Sequence, residues 1–208
     1  MAEYTFYTHP MSRGQIARWA LHEAGADYEQ VLVDWADKPA GLVAANAMGK
    51  VPTLVHHAGW GERVVTEAAA ICAYLAEMNP EAGLAPSDDE MADYLRWMFF
   101  AAGPMEQAIV ASSMGWQVPP EREGMVGFGS MARTLRAIGG HLAENRWVCG
   151  DRFTMADVYV GSSVDWGLTF GSIPPEPEFV AYAERCQARS AYKAAKAIDS
   201  KLIEASRK

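Results

Sequence analysis

Several features common in other protein classes are missing from this 208-residue chain. Its cysteines are few, far apart, and form neither a CxxC pair nor a cluster with metal-ligand spacing: Cys72, Cys149 and Cys186. This pattern argues against a disulfide framework or a zinc site and favours a reducing cytoplasm. No apolar run approaches the ~20 residues that a membrane-spanning helix needs, and the N-terminal residues lack the pattern of a signal peptide. We therefore expect a cytoplasmic protein without a membrane partner.

Positively charged residues are also few. Lys and Arg number 18 against 26 Asp and Glu, which gives a formal net charge of −8. Because a nucleic-acid-binding surface needs a basic face, the composition argues against a nucleic-acid partner. The remaining balance, 50% hydrophobic and 21% charged residues, is typical of a soluble globular protein, and the chain has no internal repeat.

The first 80 residues alternate between strand-like and helix-like segments. A β-prone run at residues 4–7 precedes the stretch SRGQIARWALHEAG, in which apolar residues recur at helical spacing. A second strand candidate, a hairpin around AGWG and the strong helical pattern TEAAAICAYLAEM follow. The order β-α-β, then β-β-α, predicts a small mixed sheet with helices packed on it.

The stretch NPEAGLAPSDD indicates a linker, because it is rich in proline, glycine and small residues. After it the strand signals cease and five helical patterns follow, with Gly103-Pro104 expected to kink or break the first. We therefore predict an α/β plus all-α architecture. Its boundaries are 1–79 for the mixed domain, 80–88 for the linker and 89–208 for an all-helical domain.

The segment NAMGKVPTLV places Pro52 at the head of an apolar run. Proline has no N–H for a ladder, so in sheets it is confined to edges, first residues and bulges. One interpretation is an ordinary turn before an edge strand. The other is a cis peptide bond that leaves the N–H and C=O of Val51 pointing outward, where a ligand with a peptide backbone could pair with them. Both fit this stretch alone.

Three segments, taken in order, resemble the cytosolic glutathione transferases of bacterial type that use a serine. NAMGKVPTLV is similar to the family's loop around its cis-proline, and VVTEAAAICAYL to the segment that holds the γ-glutamyl end of glutathione. FTMADVYV resembles the family's capping box in the helical domain. The resemblance spans essentially the whole chain. It implies a thioredoxin-like N-terminal domain, βαβ-ββα, followed by an all-helical domain, a homodimer, and glutathione as co-substrate with neither metal nor nucleotide.

The resemblance also implies where glutathione would bind on the first domain. Val51 would pair with its cysteinyl backbone, with Pro52 fixing the geometry. Glu67 would bind the γ-glutamyl ammonium, although a carboxylate at a helix start is also favourable on its own. Lys38 and Lys50 are the nearest positive charges that could meet the glycyl carboxylate, and each fits a solvated surface lysine equally well.

Ala68 departs from the family pattern, which usually has a serine there. The backbone N–H for the γ-glutamyl carboxylate remains, but the hydroxyl is missing. Losing one hydrogen bond to a charged group costs about 1.5–3 kcal/mol at most. We therefore expect weak glutathione binding unless a neighbour such as Thr66 compensates.

Ser12, in THPMSRGQIAR, stands where the serine classes of the family place a hydroxyl beside the glutathione sulfur. Lowering a thiol pKa by two units needs roughly 2.7 kcal/mol. A helix N-terminus supplies about 0.3–2 kcal/mol and one hydrogen bond to a charged group about 1.5–3, so together they suffice. The other interpretation is structural, because Ser12 and Gln15 have capping-box spacing. Tyr7, where tyrosine classes keep their hydroxyl, is the second catalytic candidate.

The second substrate would sit between the domains in an apolar pocket that admits a flat, small hydrophobic electrophile. Most aromatic residues at helical spacing belong to the core. Four apolar residues lie near the expected kink, a helix end or a Gly-rich segment and are predicted to line the pocket: Phe100, Met114, Trp116 and Trp166. Thr154 and Asp157 are expected to form a purely structural capping box, worth about 1–2 kcal/mol.

These observations predict a glutathione transferase in which Ser12 stabilises a thiolate that attacks the electrophile. Two alternatives remain open. One is a glutathione-dependent peroxidase, since a serine enzyme can still reduce peroxides, whereas the absence of cysteine from HPMSR disfavours mixed-disulfide chemistry. The other is a non-catalytic binding module on the same fold, which the loss of the hydroxyl at Ala68 favours.

Overall fold

The computed structural model describes residues 2–206. The chain divides into two compact units. The first unit comprises the described residues of Met1–Ala85 together with those of Ala188–Lys208, and the second unit comprises Pro86–Gln187.

A four-stranded mixed sheet forms the centre of the first unit, with strand order β2-β1-β3-β4. Strand β1 pairs in parallel with β2 and antiparallel with β3, which in turn pairs antiparallel with β4. The strands are β1 (Tyr4–Thr8), β2 (Tyr28–Leu32), β3 (Thr53–Ala58) and β4 (Gly61–Thr66). The helices of this stretch are α1 (Gly14–Ala24), α2 (Ala40–Ala45) and α3 (Ala68–Met78). This confirms the predicted thioredoxin-like arrangement.

Side chains of β1 alternate between the two faces of the sheet. Tyr4, Phe6 and Thr8 are fully buried, whereas Thr5 and Tyr7 are half-buried on the opposite face. Helix α1 buries most of its length and ends at Gly25, whose φ of 64° is the left-handed conformation typical of a C-terminal glycine. The sheet and α1 therefore fix where the connecting loop, residues 9–13, begins and ends.

The last helix, α9 (Ser190–Ser206), belongs to the first unit, which differs from the predicted division at residue 89. It packs on α1. Arg18 donates to the carboxylate of Asp199 at 3.0 Å, with both side chains buried, and the rings of Trp19 and Tyr192 meet edge-on with centroids 5.0 Å apart. The helical periodicity of α9 shows that it forms a helix, but not which unit it packs on.

The second unit is helical. It contains α4 (Met91–Phe100), α5 (Glu106–Ser113), α6 (Met131–Glu144), α7 (Met155–Phe170) and α8 (Pro177–Gln187). Single 3₁₀ turns lie at Pro80–Ala82 and Pro120–Met125. Between α4 and α5 the chain stays helical through Pro104 by forming a π-helical turn over Ala101–Met105, so the expected break does not occur.

Helix α7 is almost entirely buried and begins at the predicted capping box. Thr154 donates its N–H to Oδ2 of Asp157 at 2.9 Å, as the sequence pattern predicted. Among residues 2–206, no helix is both long and apolar enough to cross a membrane.

Candidate active site

The loop between β1 and α1 presents Ser12 in a half-buried position. Its hydroxyl donates to the carbonyl oxygen of His9 at 2.7 Å and accepts from the N–H of Gly14 at 3.0 Å. An accepted hydrogen bond polarises the hydroxyl and makes it a better donor. The Ser12 hydroxyl has only one proton, so donating to a sulfur requires it to turn away from His9.

The capping box expected for Ser12 and Gln15 does not form. Helix α1 begins after Arg13, which makes no capping hydrogen bond with its side chain. The side chain of Gln15 instead donates to the carbonyl of Pro10, and its backbone N–H reaches the carbonyl of Ser12 at 3.1 Å. The Ser12 hydroxyl accepts instead from the N–H of Gly14, two residues on.

Tyr7 lies on the face of β1 that is covered by α2. Its hydroxyl lies so close to Gly41 that a side chain at that position would overlap it. A side chain at position 41 would force the Tyr7 ring to move. The Tyr7 hydroxyl is in contact with α2, while the hydroxyl of Ser12 lies in the loop that precedes α1.

The peptide bond between Val51 and Pro52 is cis, which is the second of the two interpretations of this segment. Pairing between β1 and β3 ends at the Tyr7–Thr53 pair. The backbone of Val51 therefore lies outside the ladder, next to a buried proline ring.

The loop that precedes the cis bond is fastened by side-chain hydrogen bonds. Asn46 donates to Oγ1 of Thr53 at 3.0 Å, and that oxygen donates to the carbonyl of Lys50 at 2.9 Å. The ammonium of Lys38 lies against Gly49, where an added Cβ would be 3.2 Å from Nζ. The structure thus brings both exposed lysines, Lys38 and Lys50, to the same loop.

Glu67 is the only non-glycine residue with positive φ in the part of the chain that the structure describes, residues 2–206. Its φ of 65° costs about 1–3 kcal/mol of strain for a residue with a side chain. Such strain is concentrated at ligand-binding and catalytic sites, so the backbone at Glu67 independently supports a functional assignment.

Helix α3 follows Glu67 and has no side-chain cap. The first amide bonded within the helix is that of Ile71, which reaches the carbonyl of Glu67 at 2.9 Å. The amides of residues 68–70 therefore lack intrahelical acceptors and can bind an anion, together with the helix dipole. Ala68 itself is buried, and it contributes its N–H alone.

Sequence reasoning missed two aromatic side chains beside the Ser12 loop. The rings of His9 and Trp35 are 4.8 Å apart, and Met11 donates its N–H to Nδ1 of His9 at 3.1 Å. Because Nδ1 accepts, a neutral His9 carries its proton on Nε2 and can donate from there. A tryptophan in the polar loop DWADK, where it is 49% exposed, was the available signal.

The apolar candidates of the second unit lie on three different segments. Phe100, at the end of α4, is half-buried with its ring 5.2 Å from that of Trp97. Met114 and Trp116 are mostly exposed at the end of α5, and Trp166 is half-buried in α7. Met114 and Trp116 are two positions apart in the chain, where the Trp116 amide donates to the carbonyl of Ala111 at 2.8 Å.

The thiol of α3 lies away from solvent. Cys72 is completely buried in α3, and burial raises the pKa of its thiol far above the ordinary value. Within residues 2–206, no group of three His, Cys, Asp or Glu side chains is placed to hold a metal ion.

Two family models match most of the chain. The family model described as glutathione S-transferase, N-terminal domain, matches residues 2–77. The model described as glutathione S-transferase, C-terminal domain, matches residues 93–190. The chain is also similar to glutathione S-transferase GstA of Escherichia coli O157:H7, with 27% identity over 152 residues, covering 70% of this chain and 73% of that protein.

Solved structures match over nearly the whole chain. A glutathione transferase from Methylococcus capsulatus str. Bath has a TM-score of 0.77 at 29% identity, covering 95% of this chain and 98% of that one. A sphingomonad glutathione S-transferase complexed with glutathione has a TM-score of 0.73 at 27% identity, with 94% and 98% covered.

Part of the chain is similar to a protein with a different name. Elongation factor 1-gamma 3 of Oryza sativa subsp. japonica is 27% identical over 148 residues, which cover 64% of this chain and 32% of that protein. The two family models nevertheless match both the mixed domain and most of the helical part. This chain belongs to the cytosolic glutathione transferase superfamily.

Proposed function

We propose that this chain is a serine-type glutathione transferase, which ionises the glutathione thiol beside Ser12 and transfers the sulfur to a small hydrophobic electrophile. The observation that carries the proposal is the Ser12 hydroxyl, half-buried before α1 and polarised by the N–H of Gly14. The thiol proton leaves to solvent. The thiolate then forms a bond to an electrophilic carbon, and the leaving group departs with the bonding electrons.

Ser12 stabilises the thiolate rather than the thiol. A hydroxyl that donates to a charged acceptor contributes about 1.5–3 kcal/mol, which is the larger part of the roughly 2.7 kcal/mol needed. Part of this gain is offset by the lost bond to His9. The dipole of α1 supplies the remainder, because its N-terminus carries partial positive charge.

Glutathione would be held by backbone groups that the fold leaves unused. The unpaired amides at the start of α3 would take the γ-glutamyl carboxylate, with the carboxylate of Glu67 on the ammonium. The backbone of Val51, outside the β-ladder, would pair with the cysteinyl residue. Lys50, and Lys38 with its ammonium against Gly49, would attract the glycyl carboxylate. The sphingomonad relative in complex with glutathione supports this choice of ligand.

The apolar contacts of the electrophile are proposed for Phe100, Met114, Trp116 and Trp166. Two of them, Met114 and Trp116, are 61% and 63% exposed, which leaves their apolar surface accessible to a ligand. We also propose a cytoplasmic location, which suits three free thiols.

A homodimer is part of the proposal. Helix α4 exposes an apolar stripe at positions i, i+4 and i+8, formed by Met91, Leu95 and Phe99. These side chains are 41%, 46% and 70% exposed. Large apolar patches on a protein surface usually mark an interaction site. A second copy of the chain would cover the stripe.

The experiment that tests the catalytic proposal is glutathione conjugation to an aryl halide activated by nitro groups. We expect Ser12→Ala to lower kcat/KM by roughly 10- to 100-fold, from the loss of one charged hydrogen bond. Tyr7→Phe tests the second catalytic candidate, and it should change kcat/KM little because the Tyr7 hydroxyl lies against Gly41 of α2. Equal activity of Ser12→Ala and the wild type would contradict the assignment.

Two other functions lead to different results in the same assay. A peroxidase would convert an organic hydroperoxide and two glutathione molecules to the alcohol, water and glutathione disulfide while leaving the aryl halide unreacted. A binding module would do neither. The missing hydroxyl at Ala68 and the similarity to elongation factor 1-gamma 3 favour the binding module as the second candidate.

A further inference from the structure

Gln15 links the Ser12 loop to Lys196 of α9, which is 181 residues away in the sequence. Its Nε2 donates to the carbonyl oxygen of Pro10. Its Oε1 accepts from the ammonium of Lys196, on α9, at 2.8 Å. Both polar ends of this one amide are therefore engaged, one by the loop and one by the C-terminal helix.

The ammonium of Lys196 determines which way the Gln15 amide points. An ammonium has only donors, and a carbonyl oxygen is only an acceptor. If the amide were rotated by half a turn, its NH₂ would face Lys196 and its oxygen would face Pro10, so both hydrogen bonds would be lost. The bond to the charged group also strengthens the N–H as a donor to Pro10.

The loop that Gln15 fastens is the one that carries the proposed catalytic hydroxyl. Pro10 is followed after one residue by Ser12, whose hydroxyl donates to His9, the residue before Pro10. The N–H of Met11 donates to the His9 ring. Holding the Pro10 carbonyl therefore restricts the backbone on both sides of it. The restricted residues include Ser12, which carries the hydroxyl, and His9, whose carbonyl oxygen accepts its hydrogen bond.

We propose that Lys196 is a positioning residue for the Ser12 loop, acting through the amide of Gln15 on the carbonyl of Pro10. The catalytic half of this inference rests on the proposed transferase function. The structural half, the link from α9 to the loop, does not.

Helix α9 has other attachments to α1, which makes the inference testable. Arg189 forms two hydrogen bonds with the carboxylate of Glu23, at 2.6 and 2.7 Å, and Asp199 pairs with buried Arg18. These bonds remain when Lys196 is changed. We therefore expect Lys196→Met to leave α9 packed on α1 while it releases the Gln15 amide and removes the ammonium from the Tyr192 ring, whose centroid is 5.4 Å away.

The first measurement is hydrogen exchange in the ligand-free protein. In Lys196→Met, the amides of Met11 and Gly14 should exchange several-fold faster than in the wild type, because the loop is no longer fastened. Lys196→Arg should restore most of the protection. Lys193→Met, which removes an exposed lysine one turn away on the same helix, is the control and should change nothing at these amides.

The second measurement is glutathione conjugation with a double-mutant cycle. Lys196→Met should lower kcat/KM by roughly 3- to 10-fold, the value of about one hydrogen bond, and Gln15→Ala should do the same. In the Gln15→Ala background, Lys196→Met should have no further effect, since its route to the loop has been removed.

Three results would overturn the inference. Unchanged exchange at Met11 and Gly14 in Lys196→Met would remove the link. Additive effects in the double mutant would mean that the Lys196 charge acts directly on the site. Equal activity losses in Lys193→Met and Lys196→Met would show a general charge effect. If the wild type itself neither binds nor conjugates glutathione, the proposed function fails, while the exchange experiment still decides whether Lys196 positions the loop.

Discussion

Asp157 is a buried acidic residue that joins several elements of the second unit. Its carboxylate is fully buried and accepts from the N–H groups of Val148 and Thr154, each at 2.9 Å, and from the hydroxyl of Tyr182 at 2.8 Å. These three donors are buried as well. The carboxylate therefore joins the start of α7 to the preceding turn and to α8, well beyond the role of a local cap.

Asp157→Ala would leave these three buried donors without their acceptor, together with the hydroxyl of Thr154, which also donates to Oδ2 of Asp157 at 3.3 Å. Each unsatisfied group costs about 1–3 kcal/mol, and the losses overlap because the groups share one partner. We expect the free energy of unfolding to fall by about 3–5 kcal/mol, more than the 1–2 kcal/mol expected from the sequence for a cap alone. Asp157→Asn keeps an acceptor for two of the donors and should lose about 1–2 kcal/mol.

The pH dependence of stability provides a second test of the same group. Burial raises the pKa of Asp157 to about 6, although its hydrogen bonds act in the opposite direction. The folded state thus holds a proton that the unfolded chain, with a pKa near 3.9, has released. The stabilisation from this proton is complete below about pH 4 and is lost as the pH rises through 6.

The assay is chemical denaturation of the wild type, Asp157→Ala and Asp157→Asn from pH 4 to pH 7. The stability of the wild type relative to Asp157→Asn should fall by roughly 2–3 kcal/mol over this range. Conjugation activity of the folded fraction should be retained. A loss below 1 kcal/mol for Asp157→Ala, or a difference that does not vary with pH, would refute the reasoning.

Two further predictions concern glutathione affinity and assembly. Ala68→Ser should lower the dissociation constant for glutathione about tenfold or more, because it restores one hydrogen bond to a carboxylate at the start of α3. Calorimetric titration would measure this constant, and an unchanged value would mean that the carboxylate does not bind there. Phe99→Asp places a charge in the exposed stripe of α4 and should shift the protein from dimer to monomer in sedimentation at micromolar concentration. The control variant Lys193→Met should leave the dimer intact. A dimer that persists in Phe99→Asp would exclude the stripe as its interface.

The sequence predicted the order of elements because periodicity and turn residues are local signals. Gly25 ends α1 and Thr154 caps the start of α7, both as the patterns indicated. Each of these features depends on residues within a few positions of one another. Their local character is why a single sequence was sufficient.

The features that were not predicted depend on contacts between residues distant in sequence, or on which of several nearby groups a side chain bonds to. Helix α9 joins the first unit through the pair of Arg18 with Asp199, which no local pattern reveals. Gln15 has capping-box spacing from Ser12 but bonds instead to Pro10 and Lys196. The positive φ of Glu67 was also invisible in the sequence, because the side chain gives no sign of the backbone conformation.

The central claim is that the Ser12 hydroxyl holds a glutathione thiolate. The most direct measurement is the ultraviolet absorbance of the thiolate as the pH is raised, for glutathione bound to the wild type and to Ser12→Ala. The account predicts a bound thiol that ionises about two pH units below free glutathione, with most of that shift lost in Ser12→Ala. A shift that survives in Ser12→Ala, or no binding at millimolar glutathione, would contradict it.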